Sequence, residues 1–189
     1  MTQKTPMGKD TASIFDEVLR NAREIFVAKG GDYGPTWRIM RPMTLTDQMF
    51  IKARRIRNIE EGAIPRVEGE DVKEDFFALV NYGLMAIIQL EHPAKGGTVD
   101  ISTEEALSLY DDVAQRTKDL MTAKNHDYDE AWRRMRVSSF TDIILTKLQR
   151  IKSMEDRQTE NKVSEGPASN YQDIVNYSIF AIIHLMGEQ

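Results

Sequence analysis

The chain has 189 residues, 41% of them hydrophobic and 29% charged, enough for one globular domain or two small ones. A net charge of -5 argues against direct binding to a nucleic-acid backbone, and the lack of cysteine excludes disulfides, thiolate metal sites and a cysteine nucleophile. The polar N-terminus has no apolar core and no apolar stretch is long enough to span a bilayer, so neither a signal peptide nor a membrane anchor is expected and the cytoplasm is the expected location.

Shifted by 95 residues, the sequence falls on itself without a gap. DYGPTWRIMR at 32–41 lies on DYDEAWRRMR at 127–136, and LVNYGLMAIIQL at 79–90 lies on IVNYSIFAIIHL at 174–185. The expected organisation is a flexible tail at 1–11, a first repeat at 12–91, a linker at 92–102 containing a proline and a glycine pair, and a second repeat at 103–189. Two copies in one chain invite a pseudo-two-fold pairing. Positions identical in both are candidates for roles that both halves must fill.

The first helix of each repeat is marked by apolar residues at helical spacing: Ile14, Phe15, Val18, Ala22, Ile25 and Phe26 in one copy, Tyr110, Val113, Thr117, Leu120 and Met121 in the other. Gly30-Gly31 and Asn125, which tolerate a left-handed C-terminal position, are the expected ends. A loop or short helical turn follows. Here Lys29, Asp32, Tyr33, Trp37 and Arg38 recur as Lys124, Asp127, Tyr128, Trp132 and Arg133. Each residue type has a structural use: lysine at a helix C-terminus, aspartate as a cap, tryptophan as core. Together they suit a base and phosphates, with a divalent ion between them.

The second helix is expected from Thr46 or Thr141 as N-cap. Its buried stripe is Leu45, Met49, Ala53, Ile56 and Ile59, matched by Phe140, Ile144, Leu148, Ile151 and Met154. Lys52, Arg55 and Glu60 recur as Lys147, Arg150 and Glu155, with the lysine and glutamate bordering that stripe. They either cover apolar surface with their stems or line a pocket between helices. Asp47 and Asp142 sit in the first turn, where a carboxylate favours the helix dipole.

The third helix runs to Leu90 or Leu185 and is apolar on two opposite sides. One face belongs inside its own repeat; the other meets the second repeat or another copy of the chain, which makes this helix the expected homo-oligomer contact. Asn81-Tyr82 recurs as Asn176-Tyr177, and Asp173 stands one turn before Asn176 where the first copy has Ala78. That pair either offers two oxygen ligands to Mg²⁺, making the second copy the better site, or Asp173 pairs with a lysine or arginine across the interface. No stretch shows strand alternation, so the fold class is all-α: two tandem three-helix repeats packed as a pseudo-two-fold bundle.

The combination K-x-x-D-Y-x-x-x-W, T-D-x-x-x-x-K-x-x-R-I-x-x-x-E and a helix carrying N-Y resembles the nucleotide modification associated domain 1 family over nearly the whole chain. More distantly it is similar to the all-α nucleoside triphosphate pyrophosphatases of the MazG and dimeric dUTPase type. That likeness implies a MazG-like bundle that binds Mg²⁺ through acidic residues and releases pyrophosphate from a nucleotide. No E-x-x-E of that group is evident; Glu155 and Asp173 stand in for parts of it. The resemblance implies a catalytic set of Asp127, Glu155, Asp173 and Lys147, with the three acids holding Mg²⁺. Lys124, Lys147, Arg133 and Arg150 are the expected phosphate ligands, Tyr128 and Trp132 hold the base, and Asn176 orients a ligand or water. Lys29, Asp32, Trp37, Arg38, Lys52, Arg55 and Asn81 are the counterparts in the first repeat. The expected partner is a nucleotide or other phosphorylated small molecule. The alternatives are a nucleotide-binding module without turnover and a helical assembly protein.

Overall fold

The computed structural model describes residues 10–65, 71–157 and 166–187, and the side chains of these except Asp32 and Arg157. The chain is all-α: among the described residues there is no strand. The helices are α1 (Thr11–Tyr33), α2 (Pro42–Glu60), α3 (Val72–Glu91), α4 (Thr103–Tyr128), α5 (Val137–Arg157) and α6 (Pro167–Leu185). Short 3-10 turns follow α1, α3 and α4 at Thr36–Ile39, Lys95–Gly97 and Ala131–Arg134. No described helix is long and apolar enough to cross a membrane.

Three helix pairs stack in layers. α2 packs on α5, α3 on α6, and α1 on α4, with α3 and α6 in the middle touching helices of both outer layers. This position explains their composition. Leu79, Val80, Leu84, Ile87 and Ile88 of α3, and Ile174, Val175, Ile179, Ile182 and Ile183 of α6, are all buried. An element apolar all round must be covered all round. The cover comes from within the chain: α1 rests on α6 as well as α3, and α4 on α3 as well as α6. Of the two covers expected for the second face, the other repeat or another copy, α1 and α4 supply the first.

The middle pair approaches closely at Gly83. A Cβ there would lie 2.6 Å from Val175 Cγ2 and 3.6 Å from the Tyr171 carbonyl. The second repeat has the small Ser178 at the equivalent place, its hydroxyl turned back to the Ile174 carbonyl at 2.7 Å. Small residues let the two backbones meet, and the core closes around them.

Reciprocal polar contacts across α2 and α5 express the pseudo-two-fold. The Thr46 hydroxyl donates to Glu155 at 2.8 Å, and the Thr141 hydroxyl donates to Glu60 at 2.8 Å. Lys152 reaches Asp47 at 2.6 Å, and Arg57 reaches Asp142 at 3.0 Å. Each contact maps onto its mate under the 95-residue shift. The N-terminal part of each helix thus meets the C-terminal part of the other, as an antiparallel pair requires. The Tyr171 hydroxyl joins one clamp only, 2.6 Å from Thr46 Oγ1 and 3.2 Å from Glu155; the first repeat has Phe76 there.

Four helix boundaries differ from the sequence expectation, the ends of α1 and α4 and the starts of α2 and α5. α1 and α4 run through Gly30-Gly31 and Asn125 to Tyr33 and Tyr128. The left-handed caps are Gly34 (φ 64°) and Asp129 (φ 49°). Two glycines lower helix propensity without stopping a helix that is anchored by packing. α2 begins four residues before Thr46 because Pro42 opens it at a position where a missing N–H does no harm. Thr46 and Thr141 lie one turn inside their helices, and their hydroxyls serve the other repeat. The tail expected at 1–11 falls on residues 1–9, outside the described residues, while Thr11 is buried in α1.

Gly83→Ala should destabilise the fold by about 1–2 kcal/mol, the overpacking penalty less the helix-propensity gain. Val175→Ala should relieve part of that in the double variant. Urea melts of the four proteins check this; additive effects would refute the close approach.

Burial pushes the Glu155 carboxyl above the ordinary carboxylate range, against the Thr46 and Tyr171 hydrogen bonds, which pull it down. Burial does the same to Glu60. A raised folded-state pKa contributes stability that is present below the unfolded value and lost as pH rises through the folded one. The stability of Glu155→Gln relative to wild type should therefore grow as pH goes from about 4 to 7. A difference that is flat or shrinks across thermal melts in that range would contradict it.

Candidate functional site

The second repeat holds a cavity of about 280 Å³. α4 contributes Met121, Lys124, Asn125 and Tyr128; the 3-10 turn contributes Ala131 and Trp132; α6 contributes Asp173, Asn176, Tyr177 and Phe180. The 3.6-residue period places Asp173, Asn176 and Phe180 on one side of α6, facing the end of α4. Asp173 is buried, and its two oxygens each take one ammonium: Lys124 at 2.6 Å and Lys147 at 2.6 Å. Lys147 reaches the site from α5 only through this carboxylate. Burial, and then the Asp173 charge, push the Tyr177 phenol up from its ordinary value.

Trp132 stacks on Phe180 with centroids 4.4 Å apart and planes 7° from parallel. The Arg133 guanidinium lies 4.9 Å from the indole centroid. Trp132 therefore meets the cavity beside these two groups. Its Nε1 is buried with no hydrogen-bond partner among the described residues, and so is Asn176 Oδ1. The turn into Trp132 passes through Asp129 (φ 49°) and Glu130 (φ 48°), both left-handed. The first repeat has Gly34 and Pro35 at these places. Glu130 is held by the Thr11 hydroxyl and by Arg133 at 2.6 Å, and Arg133 also donates to Thr11 at 2.6 Å. This triad ties the start of α1 to the turn after α4.

The first repeat divides the equivalent space. One cavity of about 300 Å³ is lined by Lys29, Glu74, Ala78, Asn81 and Met85 among others. A neighbour of about 180 Å³ is lined by Trp37, Gly34 and Leu107 and shares Phe26, Lys29, Tyr82 and Met85 with it. Trp37 Nε1, like Trp132 Nε1, is buried without a partner among the described residues. The carboxylate has moved one turn along the helix. Asp75, where the second repeat has Asn170, binds Lys52 at 3.0 Å and also Arg55. Ala78 stands where the second repeat has Asp173.

Of the residues expected to form the site, Lys124, Tyr128, Trp132, Asp173 and Asn176 line one cavity, with Lys147 attached through Asp173. Lys29 and Asn81 line the first repeat's cavity, and Trp37 its neighbour. Others lie elsewhere. Arg38, expected at phosphates, is buried and holds the linker, donating to Asp100 at 2.9 Å, to the His92 carbonyl at 2.7 Å and to Gln89. The hydrogen bond from Arg38, and then that from the Lys95 backbone, hold the Asp100 carboxyl down at about 2. Arg133 is engaged by Glu130 and Thr11, Lys52 and Arg55 by Asp75, and Arg150 is exposed. The Asp32 side chain lies outside the described residues.

The proposed Mg²⁺ set does not assemble. Asp127 is exposed beside His126 at 3.4 Å, and Glu155 belongs to the inter-repeat clamp. Glu155 lies two turns from Lys147 along α5, about 12 Å away at 1.5 Å per residue. Asp173 is already matched by two ammonium groups. Among the described residues no group of three or more histidine, aspartate or glutamate side chains is placed to hold a metal ion. These residues do not fit the ion.

Sequence reasoning missed Met121, Asn125, Met135 and Phe180 as lining residues. Three of them differ in type between the copies (Phe26, Gly30 and Met85 in the first), so the comparison of repeats passed over them, while Met135 recurs as Met40. Tyr177 carried a signal, the recurring N-Y pair.

The family described as nucleotide modification associated domain 1 matches residues 29–90 and again 124–185. The two matches are in register with the internal repeat, each running from the cavity lysine to the end of the third helix. Comparisons with curated proteins and with solved structures find no match. The chain belongs to the nucleotide modification associated domain 1 family, as a tandem pair of its domains.

Proposed function

We propose that the chain is a nucleotide-binding module whose ligand sits in the cavity of the second repeat and is held without metal-assisted hydrolysis. One observation carries this reading. Two residues that line the cavity, Trp132 and Asn176, each carry a buried polar atom without a partner among the described residues, an indole N–H and a carboxamide oxygen, next to a lysine-bound carboxylate. Buried polar groups are almost always paired, so two unpaired ones at one cavity point to a polar, planar ligand. Apolar walls from Met121, Met135 and Phe180 suit the faces of a base.

Size and charge narrow the class. A cavity of about 280 Å³ is at the low end for small-molecule sites, which start near roughly 300 Å³. Lys124 and Lys147 bring two ammonium groups to the one Asp173 carboxylate. A nucleoside monophosphate matches both; a triphosphate without its ion does not. On binding, the phosphate competes with Asp173 for Lys124, while Trp132 and Asn176 meet the base.

A helical assembly role finds support in one feature. The strictly recurring Thr46, Asp47 and Glu60 set and its copy are spent on pairing the repeats. That accounts for the second-helix motif and leaves the cavity residues to the ligand.

Calorimetric titration with the four deoxynucleoside 5′-monophosphates should show binding that needs no Mg²⁺. Lys124→Met should weaken it by about ten- to a hundred-fold, the loss of a charge-assisted hydrogen bond. Binding of none of the four, or binding that appears only with Mg²⁺, would sink the reading. Asp173→Asn should lower stability by about 2–3 kcal/mol, less than a fully buried pair because both ammonium groups reach solvent. The loss should be the same with and without Mg²⁺ in urea melts; a loss confined to the Mg²⁺-containing samples would favour the metal-bound alternative.

A further inference from the structure

The pseudo-two-fold relates Asn81 to Asn176, Ala22 to Thr117 and Tyr110 to Phe15. In the first repeat the asparagine is fully used. Asn81 Nδ2 donates to the Ala22 carbonyl at 3.1 Å, and the Tyr110 hydroxyl donates to Asn81 Oδ1 at 2.7 Å. In the second repeat Asn176 Nδ2 donates to the Thr117 carbonyl at 3.4 Å. A carbonyl can only accept, so this bond fixes which way round the amide sits and leaves Oδ1 on the far side. Phe15, where the first repeat's partner is Tyr110, has no hydroxyl to offer. Phe15 packs 6.2 Å from Phe180, one turn along α6 from Asn176. Asn176 is 5% exposed, lines the cavity, and has its acceptor unpaired among the described residues.

On the nucleotide reading of this cavity, we infer that Asn176 is its specificity-determining residue, accepting an N–H or O–H from the ligand, and that the Tyr110 hydroxyl fills that role internally for Asn81. The chain then takes one nucleoside monophosphate per pair of repeats. Held by one long hydrogen bond, the Asn176 carboxamide can turn about its Cβ–Cγ bond toward the cavity it lines. Asn81, pinned at both ends, cannot. The ligand class follows: a base edge that gives a donor to Asn176 beside an acceptor for Trp132 Nε1. The first repeat lacks this arrangement: the Tyr110 hydroxyl already serves Asn81, and Trp37 lines a different cavity from Asn81.

The test is calorimetric titration of the full chain with the four deoxynucleoside 5′-monophosphates, reading affinity and stoichiometry. Wild type should bind one per chain. Phe15→Tyr should bring Asn176 the hydroxyl that Asn81 already has, weakening binding about ten-fold while leaving the melting temperature unchanged or raised. Asn176→Leu, similar in shape and without the acceptor, should weaken binding by a similar factor and decides the matter if Phe15→Tyr does not fold. Tyr110→Phe should leave affinity unchanged. Two ligands per chain, or wild-type affinity in Phe15→Tyr and Asn176→Leu, would overturn this inference while the nucleotide reading stands. Binding of none of the four by wild type would overturn both.

Discussion

A helix apolar on two opposite faces has to be covered twice, and no three-helix unit of this size can cover its third helix on both sides. α3 and α6 solve this by packing on each other and letting each repeat supply half of the remaining cover. The rest of the architecture follows. α2 and α5 must run antiparallel beneath the middle pair, which brings Thr46 to Glu155 and Thr141 to Glu60. α1 and α4 must each reach over the other repeat's third helix, which brings Tyr110 to Asn81 and Phe15 to Phe180. The cavities lie where the ends of α1 and α4 lift off this middle layer.

The duplication, the helix count and the buried stripes were legible because burial leaves a periodic record. Leu45, Met49, Ala53 and Ile56, with their copies, are fully buried as the spacing implied. Asp173 and Asn176 were legible as a pair on one side of a helix, and they share the cavity. The purpose of a shared charge was not legible. Recurrence says that both halves need Glu60 and Glu155; it cannot say whether they need them for a ligand or for each other. The inter-repeat clamp satisfies them, which a single-helix view has no means to show. Arg38 illustrates the same limit: its partners Gln89, His92 and Asp100 lie more than fifty residues away and follow no local pattern.

Recurrence and difference have separate physical meanings here. Of the polar positions kept in both copies, the second-helix set Thr46, Asp47 and Glu60 with its counterparts holds the two halves together, while the recurring lysine, tryptophan and asparagine line the cavities. The positions that differ set the two cavities apart. Asp75 becomes Asn170 and Ala78 becomes Asp173, so the carboxylate leaves Arg55's counterpart and moves to the cavity edge. Gly34-Pro35 becomes Asp129-Glu130, and two left-handed residues carry the chain into Trp132. Each costs of order 1 kcal/mol or more. The Thr11–Glu130–Arg133 contacts are positioned to hold that turn against its strain.

Asp173 has a further consequence for how the cavity stands when no ligand is in it. Two lysines directed at one small space repel, and an isolated buried ammonium is disfavoured by desolvation. Placed between them, a carboxylate makes the pair compatible with a folded, empty site. Of the two lysines, Lys124 is the more exposed, 44% against 18% for Lys147. An anion arriving from solvent therefore meets Lys124 first, and Lys147 stays with Asp173 to keep α5 and α6 joined. In the first repeat Asp75 gathers Lys52 and Arg55 one turn further from the cavity, so Lys29 shares its cleft with Ala78 and the exposed Glu74 rather than with a buried carboxylate. The two clefts thus hold similar net charge but differently placed, and only the second sets a buried carboxylate, a lysine and an unpaired amide on one wall.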